Sequence, residues 1–324
     1  MPGALIAHAP GGPEAMQWVD VPTPEPGPGE ALVSQVAIGV NFIDVYFRSG
    51  LYPWPDTSMI PGAEASGVVE SVGPGVTDIR PGDRVAYVMP NGAYREQRVI
   101  ASDRLVHLPD GIDAIAIAGA MLKGLTAQYL VTSSYAVEAG DTVLVHAAAG
   151  GVGLILGQWL NAIGAHAIGT AGGPEKVALA EKHGYEHVID YRSQDFVAEV
   201  GRITGGAGCA AVYDSVGADT WRGSLKCLRR RGMFVNFGQS SGMIADFKLS
   251  DLASGGSLSA NRPVLFDYVA ERDELLERSA DLFSRILDGT ISLDVAQTRP
   301  LREAGAAHAD LEGRRTVGST ILLV

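Results

Sequence analysis

The tightest constraint in the chain is Val143-Leu-Val-His-Ala-Ala-Ala-Gly-Gly-Val-Gly153, followed at once by Leu154-Ile-Leu-Gly-Gln-Trp-Leu160. A short apolar run ends in a glycine-rich turn, and a helical pattern begins without a linker. Gly150 and Gly151 let the backbone approach a pyrophosphate closely, and Gly153 lets the helix pack on the strand. Free N–H groups in the first helical turn and the positive end of the helix dipole then favour an anion. The usual spacing is Gly-x-Gly-x-x-Gly, and its first position is Ala148 here. The alternative is a glycine pair that serves helix packing alone. The strand before the turn, the helix after it and the βαβ pattern beyond favour the phosphate reading.

The same alternation runs on from about Lys123. Strand-like runs are Thr142–His146, His166–Gly169, His187–Asp190, Ala211–Asp214, Met233–Phe237 and Ser257–Ser259, with helical stretches between them. Apolar strands alternating with helices mean a parallel sheet covered on both faces. Six of them predict a doubly wound α/β nucleotide fold. Residues 1 to about 122 read instead as β-rich. Ala31–Gly39, Gly67–Val72, Asp83–Val88 and Tyr94–Val99 are short strand patterns, separated by Gly73-Pro-Gly75, Pro81-Gly-Asp83 and Asn91-Gly92. That spacing suggests a small barrel or distorted sandwich, with 22–29 (PTPEPGPG) as a surface loop ahead of it. Residues 271–288 form an amphipathic helix pattern and Thr320–Val324 a strand, so the terminal part returns to the first domain. A length of 324 residues suits two such domains.

Composition excludes several classes. Lys and Arg number 25 against 37 Asp and Glu, a net charge of −12. That balance argues against nucleic-acid and anionic-membrane partners. Two cysteines cannot build a disulfide framework or a four-cysteine zinc site. The opening residues lack a basic start with an apolar run behind it, and no apolar stretch reaches the ~18 residues of a membrane span. A reducing, cytoplasmic setting is the expectation.

The dinucleotide is chosen at the end of the second strand, where NAD sites usually carry Asp or Glu for the ribose 2′-OH. Here the chain reads Gly169-Thr-Ala-Gly-Gly-Pro174, with no carboxylate to repel a 2′-phosphate and Lys176 just beyond. NADPH is therefore expected over NADH.

The stretch His146 to Gln158, together with Asn41-Phe-Ile-Asp-Val-Tyr-Phe-Arg-Ser-Gly50, Leu51-Tyr-Pro53, Lys123-Gly-Leu-Thr126 and Arg314-Arg-Thr-Val-Gly-Ser319, resembles the zinc-free quinone oxidoreductases. These are the zeta-crystallin-like group of the medium-chain dehydrogenase/reductase superfamily. A basic residue or serine is usual three positions after Gln158, where this chain has Asn161, on a helix beyond the phosphate site. The resemblance implies a GroES-like β-barrel domain at 1–122, completed by 266–324, and a Rossmann domain at 123–265 that carries NADPH. It implies a cleft between them for the nicotinamide, and a homodimer. It places Asn41, Tyr46 and Tyr52 around nicotinamide and substrate. It adds Val152 and Thr170 to the cofactor set, Tyr191 near the adenine ribose, and Lys176 and Arg314 on the 2′-phosphate, with adjacent Arg315 as a rival. Thr126, Phe237 and Gly238 would lie by the nicotinamide, and Val264 and Leu265 by its carboxamide.

Zinc dehydrogenases of the same superfamily use Cys, His and Cys. In this chain Asn41 stands at the first cysteine position, and Gly62-Ala63-Glu64 stands where Gly-His-Glu is usual. Cys209 and Cys227 have no ligand spacing, so no metal is expected. Glu64 is read as structural, both cysteines as buried small hydrophobes and His146 as a packed histidine. Quinones and conjugated enones are electrophilic without a Lewis acid. They need orientation, exclusion of water and a hydrogen-bond donor, for which Asn41, Tyr46 and Tyr52 are candidates. An NADPH:quinone reductase is the leading reading. An enone or enoyl-thioester reductase is the alternative, and it should favour a basic entrance. The marked basic cluster is Arg229-Arg230-Arg231, which also reads as a helix C-terminus. A non-enzymatic role, as a cofactor-binding structural protein or an RNA-binding one, stands third, and the net charge counts against RNA.

Overall fold

A computed structural model describes residues 1–55 and 57–324. In chain order the strands are β1 (Gly3–Ala7), β2 (Met16–Asp20), β3 (Glu30–Val40), β4 (Glu64–Val72), β5 (Arg84–Val88), β6 (Gln97–Ala101), β7 (Val106–His107), β8 (Thr142–Val145), β9 (His166–Ala171), β10 (His187–Asp190), β11 (Cys209–Asp214), β12 (Leu228–Asn236), β13 (Ser259–Asn261), β14 (Val295–Pro300) and β15 (Ser319–Leu323). They divide between two compact units. The first is Met1–Leu125 with Tyr268–Leu287 and Leu293–Val324; the second is Thr126–Asp267 with Asp288–Ser292.

The first unit is organised on β3. This strand pairs β4 along one edge; on the other, β6 takes its first half and β15 its second. Its register against β4 shifts twice, between Leu32 and Val33 and between Gln35 and Ala37. Such bulges bend a strand and let a sheet curl. The full order is β14-β15-β3-β4-β5-β7, and β1 and β2 form a separate antiparallel pair. The core includes Val33, Ile38, Val69, Tyr87, Tyr94 and Leu322. The helix Arg272–Leu287 buries Leu275, Ser279, Leu282 and Phe283, one stripe of helical spacing.

The second unit holds a six-stranded sheet in the order β10-β9-β8-β11-β12-β13, every neighbour parallel. Numbered from β8, that order is 3-2-1-4-5-6, the doubly wound arrangement. Leu144, Ile168, Val212, Trp221 and Phe234 pack its core.

Three local expectations are corrected. The Tyr94–Val99 run becomes a strand only at Gln97, because Tyr94 and Arg95 pair instead with the 61 loop and with β1. The Ser257–Ser259 run moves to Ser259–Asn261, since Gly256 and Ser257 both turn at positive φ. Arg229–Arg231 lie in β12, directly after its first residue Leu228, and the preceding helix Trp221–Lys226 has already ended.

Candidate active site

The turn after β8 is built by backbone. Ala147 adopts a positive φ of 55°, Ala148 N donates to Thr170 O at 3.0 Å and Gly150 N to Ala147 O at 2.9 Å. Gly150 then caps the helix Gly151–Ile163, and no side chain satisfies that cap. The early N–H groups of this 13-residue helix, those of Gly151, Val152 and Gly153, are the donors a helix leaves unpaired. A Cβ on Gly153 would stand 2.6 Å from Ala148 O and closer still to Ala147 O. The alanine at the first glycine position is matched elsewhere. Ala148 is fully buried, and a Cβ on Gly169 of β9 would meet its methyl at 2.7 Å. Tyr185 donates its hydroxyl to Gly153 O at 2.8 Å and locks the helix start from below.

Under this turn His146 is buried, bonded to Thr170 Oγ1 and Ser224 Oγ, each at 3.0 Å, and edge-on to Phe196. Burial lowers its pKa, against the opposing charge of Asp214. Ser224 in turn donates to Asp214 Oδ2 at 2.8 Å. Serine stands between histidine and aspartate here, so the order is wrong for nucleophilic catalysis, and the group serves as packing. Thr170 is thereby committed through both its hydroxyl and its carbonyl.

At the end of β9 the Gly172–Gly173 loop meets the end of β10. The Tyr191 hydroxyl lies 2.5 Å from where a Cβ on Gly172 would stand, and Arg192 Nη1 lies 3.1 Å from the equivalent point on Gly173. Lys176 sits in the first turn of the helix Pro174–Lys182. Asp190 Oδ1 accepts from Gly173 N at 2.9 Å and Arg192 N at 3.0 Å, and those two backbone donors hold its carboxyl below the usual range. Arg192 and Asp190 were missed in the sequence. Parallel pairing of β9 with β10 brings them to the loop, so their signal is their place at the third strand's end.

Phe237 N donates to Asp214 O at 2.9 Å, and Gly238 O accepts from Asn236 Nδ2 at 2.8 Å just past β12. Thr126 is buried in the helix Met121–Tyr129; Val264 is exposed and Leu265 buried. Arg314 is exposed and belongs to the first unit, whereas Arg315 is committed to Asp310 at 2.8 Å.

In the first unit the helix Phe42–Arg48 carries Tyr46. Its ring lies 5.3 Å from that of Tyr52, whose backbone N donates to Tyr46 O at 3.0 Å. Asn41 precedes the helix and is nearly buried, with Nδ2 donating to Glu64 Oε1 at 2.8 Å. Glu64, fully buried, also accepts from Lys123 Nζ at 2.8 Å and Leu122 N at 2.6 Å. Its reading as structural agrees with that geometry. Cys209 and Cys227 are buried free thiols, both pushed up to about 12 by burial. Among the described residues no group of three or more His, Cys, Asp or Glu is placed to hold a metal.

Behind Asn41 lies a buried polar chain that the sequence did not suggest. Asn41 N and the Tyr94 hydroxyl donate to Asp44 Oδ2 at 2.8 and 3.1 Å. Tyr94 Oη meets His308 Nε2 at 2.8 Å, His308 Nδ1 meets Arg48, and Arg48 pairs with Glu312 at 2.8 Å. Burial pushes the Asp44 carboxyl from 3.8 up to about 7 and His308 from 6.5 down to about 3. The folded chain thus keeps an Asp44 proton that the unfolded chain releases between 3.8 and about 7. The Asp44 contribution to stability falls as pH rises through that window and is level above it. His308 acts oppositely, losing stability as pH falls from 6.5 towards 3. Asp44→Asn removes only the first slope. In calorimetry its thermal midpoint relative to the parent should rise from pH 4 to 7 and then level off. A pH-independent difference would show that Asp44 ionises as it does in the unfolded chain.

Residues 27–141 match the family described as alcohol dehydrogenase GroES-like domain, and residues 151–277 the one described as zinc-binding dehydrogenase. The quinone oxidoreductase of Pseudomonas aeruginosa is 48% identical over 314 residues, 97% of each chain. The 2-haloacrylate reductase of a Burkholderia species is 44% identical over 328 residues, 99% of this chain and 98% of that one. The crystal structure of Escherichia coli quinone oxidoreductase complexed with NADPH superposes with a TM-score of 0.97 at 46% identity, over 99% of this chain and 100% of that one.

Proposed function

The chain belongs to the quinone oxidoreductases of the medium-chain dehydrogenase/reductase superfamily, and from that premise we propose that it reduces quinones with NADPH and without a metal. The observation that carries the cofactor is the uncapped start of the helix Gly151–Ile163 after a parallel strand, with no acid at the end of β9. The N–H groups of Gly151, Val152 and Gly153 hold the pyrophosphate. Lys176, Arg192 and the Tyr191 hydroxyl hold the 2′-phosphate. Thr126, Phe237, Gly238, Val264 and Leu265 frame the nicotinamide. Bound NADPH supplies a hydride. Tyr46 and Tyr52 offer hydroxyl donors and ring surface to a flat acceptor, while Asn41 is held in place by Glu64. Solvent supplies the proton that completes the hydroquinone. The metal-free reading is supported by Asn41 and Ala63 at the ligand positions, and by the commitment of Glu64 to Lys123.

The chain is further read as a cytoplasmic homodimer. Two buried thiols suit a reducing compartment. Strand β13 is a sheet edge with Ser259 and Ala260 exposed, which a second copy could extend. Light scattering on the purified protein checks the dimer.

The experiment is NADPH oxidation by EDTA-treated protein, with quinones, 2-chloroacrylate and a crotonyl-thioester in parallel and NADH as control. Fast quinone turnover, NADPH preferred and EDTA harmless, supports the reading. Turnover confined to the alkenes moves the chain to the enone reductases, a reading favoured by its likeness to the haloacrylate reductase. Lys176→Ala should weaken NADPH about tenfold in a fluorescence titration and leave NADH nearly unchanged, since only the 2′-phosphate loses a charge-assisted contact. Equal losses for both cofactors would remove Lys176 from the 2′-phosphate.

A further inference from the structure

The first unit contains a pocket of about 500 Å³ that none of the cofactor or hydride-site residues lines. Its apolar wall is Trp54 with the prolines on either side, Met59 and Ile60; its polar wall is Ser58, Asn91 and Arg95. Volume and composition fall within the range of small-molecule sites, mostly apolar with a few placed polar groups.

Arg95 is the informative residue. Its backbone holds the turn: N donates to Ala93 O and the carbonyl accepts from Gln35 Nε2. Its guanidinium does not share in that. Among the described residues no carboxylate pairs with it, and Nε is buried without an acceptor. A second guanidinium stands behind the same wall. Arg98 Nη2 donates to Asn91 O at 2.6 Å, its plane lies 4.8 Å from the centre of the Tyr87 ring, and its Nη1 is also buried and unpaired. Burial, then the Arg98 charge, hold Arg95 below its ordinary pKa, with Tyr87 opposing. Among the described residues no acid lies between these two cations, which is out of keeping with a chain of net charge −12. A buried guanidinium is stabilised by a planar anion that takes its fork in two hydrogen bonds, and a tryptophan beside it offers a flat apolar face.

We propose that this pocket binds a small organic acid, a carboxylate or sulfonate on a flat apolar body, with the anion on Arg95 and the ring against Trp54. Such an acid is either a separate effector or the acidic end of an acceptor molecule. The chemistry is the same, and kinetics separate the two.

The test is calorimetric titration with 1-naphthoate and with neutral 1-naphthylmethanol, with and without saturating NADPH so that anion binding at the glycine turn is distinguished. The parent chain should prefer the acid by about tenfold or more. Arg95→Met should abolish that preference without lowering the thermal midpoint, because it removes a partly buried charge whose Nε has no acceptor. Arg95→Lys keeps the charge but not the fork and should retain part of the preference. Trp54→Ala should weaken both ligands alike. Inhibition of quinone reduction by 1-naphthoate that is competitive with quinone identifies an acceptor subsite, and any other pattern an effector site. The proposal is overturned by the absence of saturable binding, by a preference that survives Arg95→Met, or by a strongly destabilised Arg95→Met, which would make the guanidinium structural. Binding is read without turnover, so these outcomes are independent of whether quinones are the substrate.

Discussion

Gly153→Ala should lower NADPH affinity by about ten- to a hundredfold while Gly150→Ala lowers it far less. The two glycines share the turn but not its crowding. A Cβ at 153 would press on two carbonyl oxygens, Ala148 O at 2.6 Å and Ala147 O nearer still. Those oxygens belong to backbone already fixed. Ala147 sits at positive φ and Ala148 is tied to Thr170 O. Nothing flexible can give way, so the helix start must move off the strand. Overpacking of this kind costs about 1–3 kcal/mol. It falls on the N–H groups that hold the pyrophosphate, and their aim is lost with it. A Cβ at 150 would meet only Ala147 O, at 3.1 Å, in ordinary extended backbone. Fluorescence titration of both variants, with thermal midpoints to confirm folding, checks the order. Equal affinities at 150 and 153 would mean that the turn absorbs the methyl and that helix position does not govern binding.

The glycine turn and the six parallel strands were legible because each is local. An apolar run, a glycine pair and a helical pattern lie within twenty residues, and the helices between runs leave a parallel sheet as the outcome. The sheet order then placed residues that no local pattern could. Arg192 reaches the Gly173 loop because β10 lies beside β9. The Lys123 ammonium reaches Glu64 across 59 positions, and His308 reaches Tyr94 across 214. Patterning also failed where a residue's partner was not its neighbour in a ladder. Tyr94-Arg95 alternates like a strand, yet one side chain turns inward to Asp44 and the other lines a pocket. The departures from the glycine and zinc motifs were visible as letters, but their consequences were not. Ala148 is accommodated by Gly169, and the Glu64 left beside Ala63 is met by a lysine.

That lysine carries the other large effect. Glu64 has no exposed side-chain surface and Lys123 only 7%, and their charged atoms lie 2.8 Å apart. The carboxylate fills the space beside Gly39, where a Cβ would collide with Oε1. It binds Asn41 Nδ2 and Lys123 through Oε1 and Leu122 N through Oε2, so both oxygens are satisfied. A pair this buried offers little net stability over apolar residues of similar size, but removing one partner strands the other charge, at about 3–5 kcal/mol. Lys123→Met should therefore destabilise the protein by that order, and Glu64→Gln by a similar amount, since the ammonium then lacks its counter-ion. The double variant Glu64→Gln/Lys123→Met should recover much of the loss, because no unpaired charge remains and the single Gln carbonyl oxygen can still accept from Leu122 N. Denaturant unfolding of the four proteins gives the coupling directly. Strict additivity, with each single variant losing less than about 1 kcal/mol as exposed pairs do, would show that water reaches the pair. In that case Asn41 is not held by a buried charge.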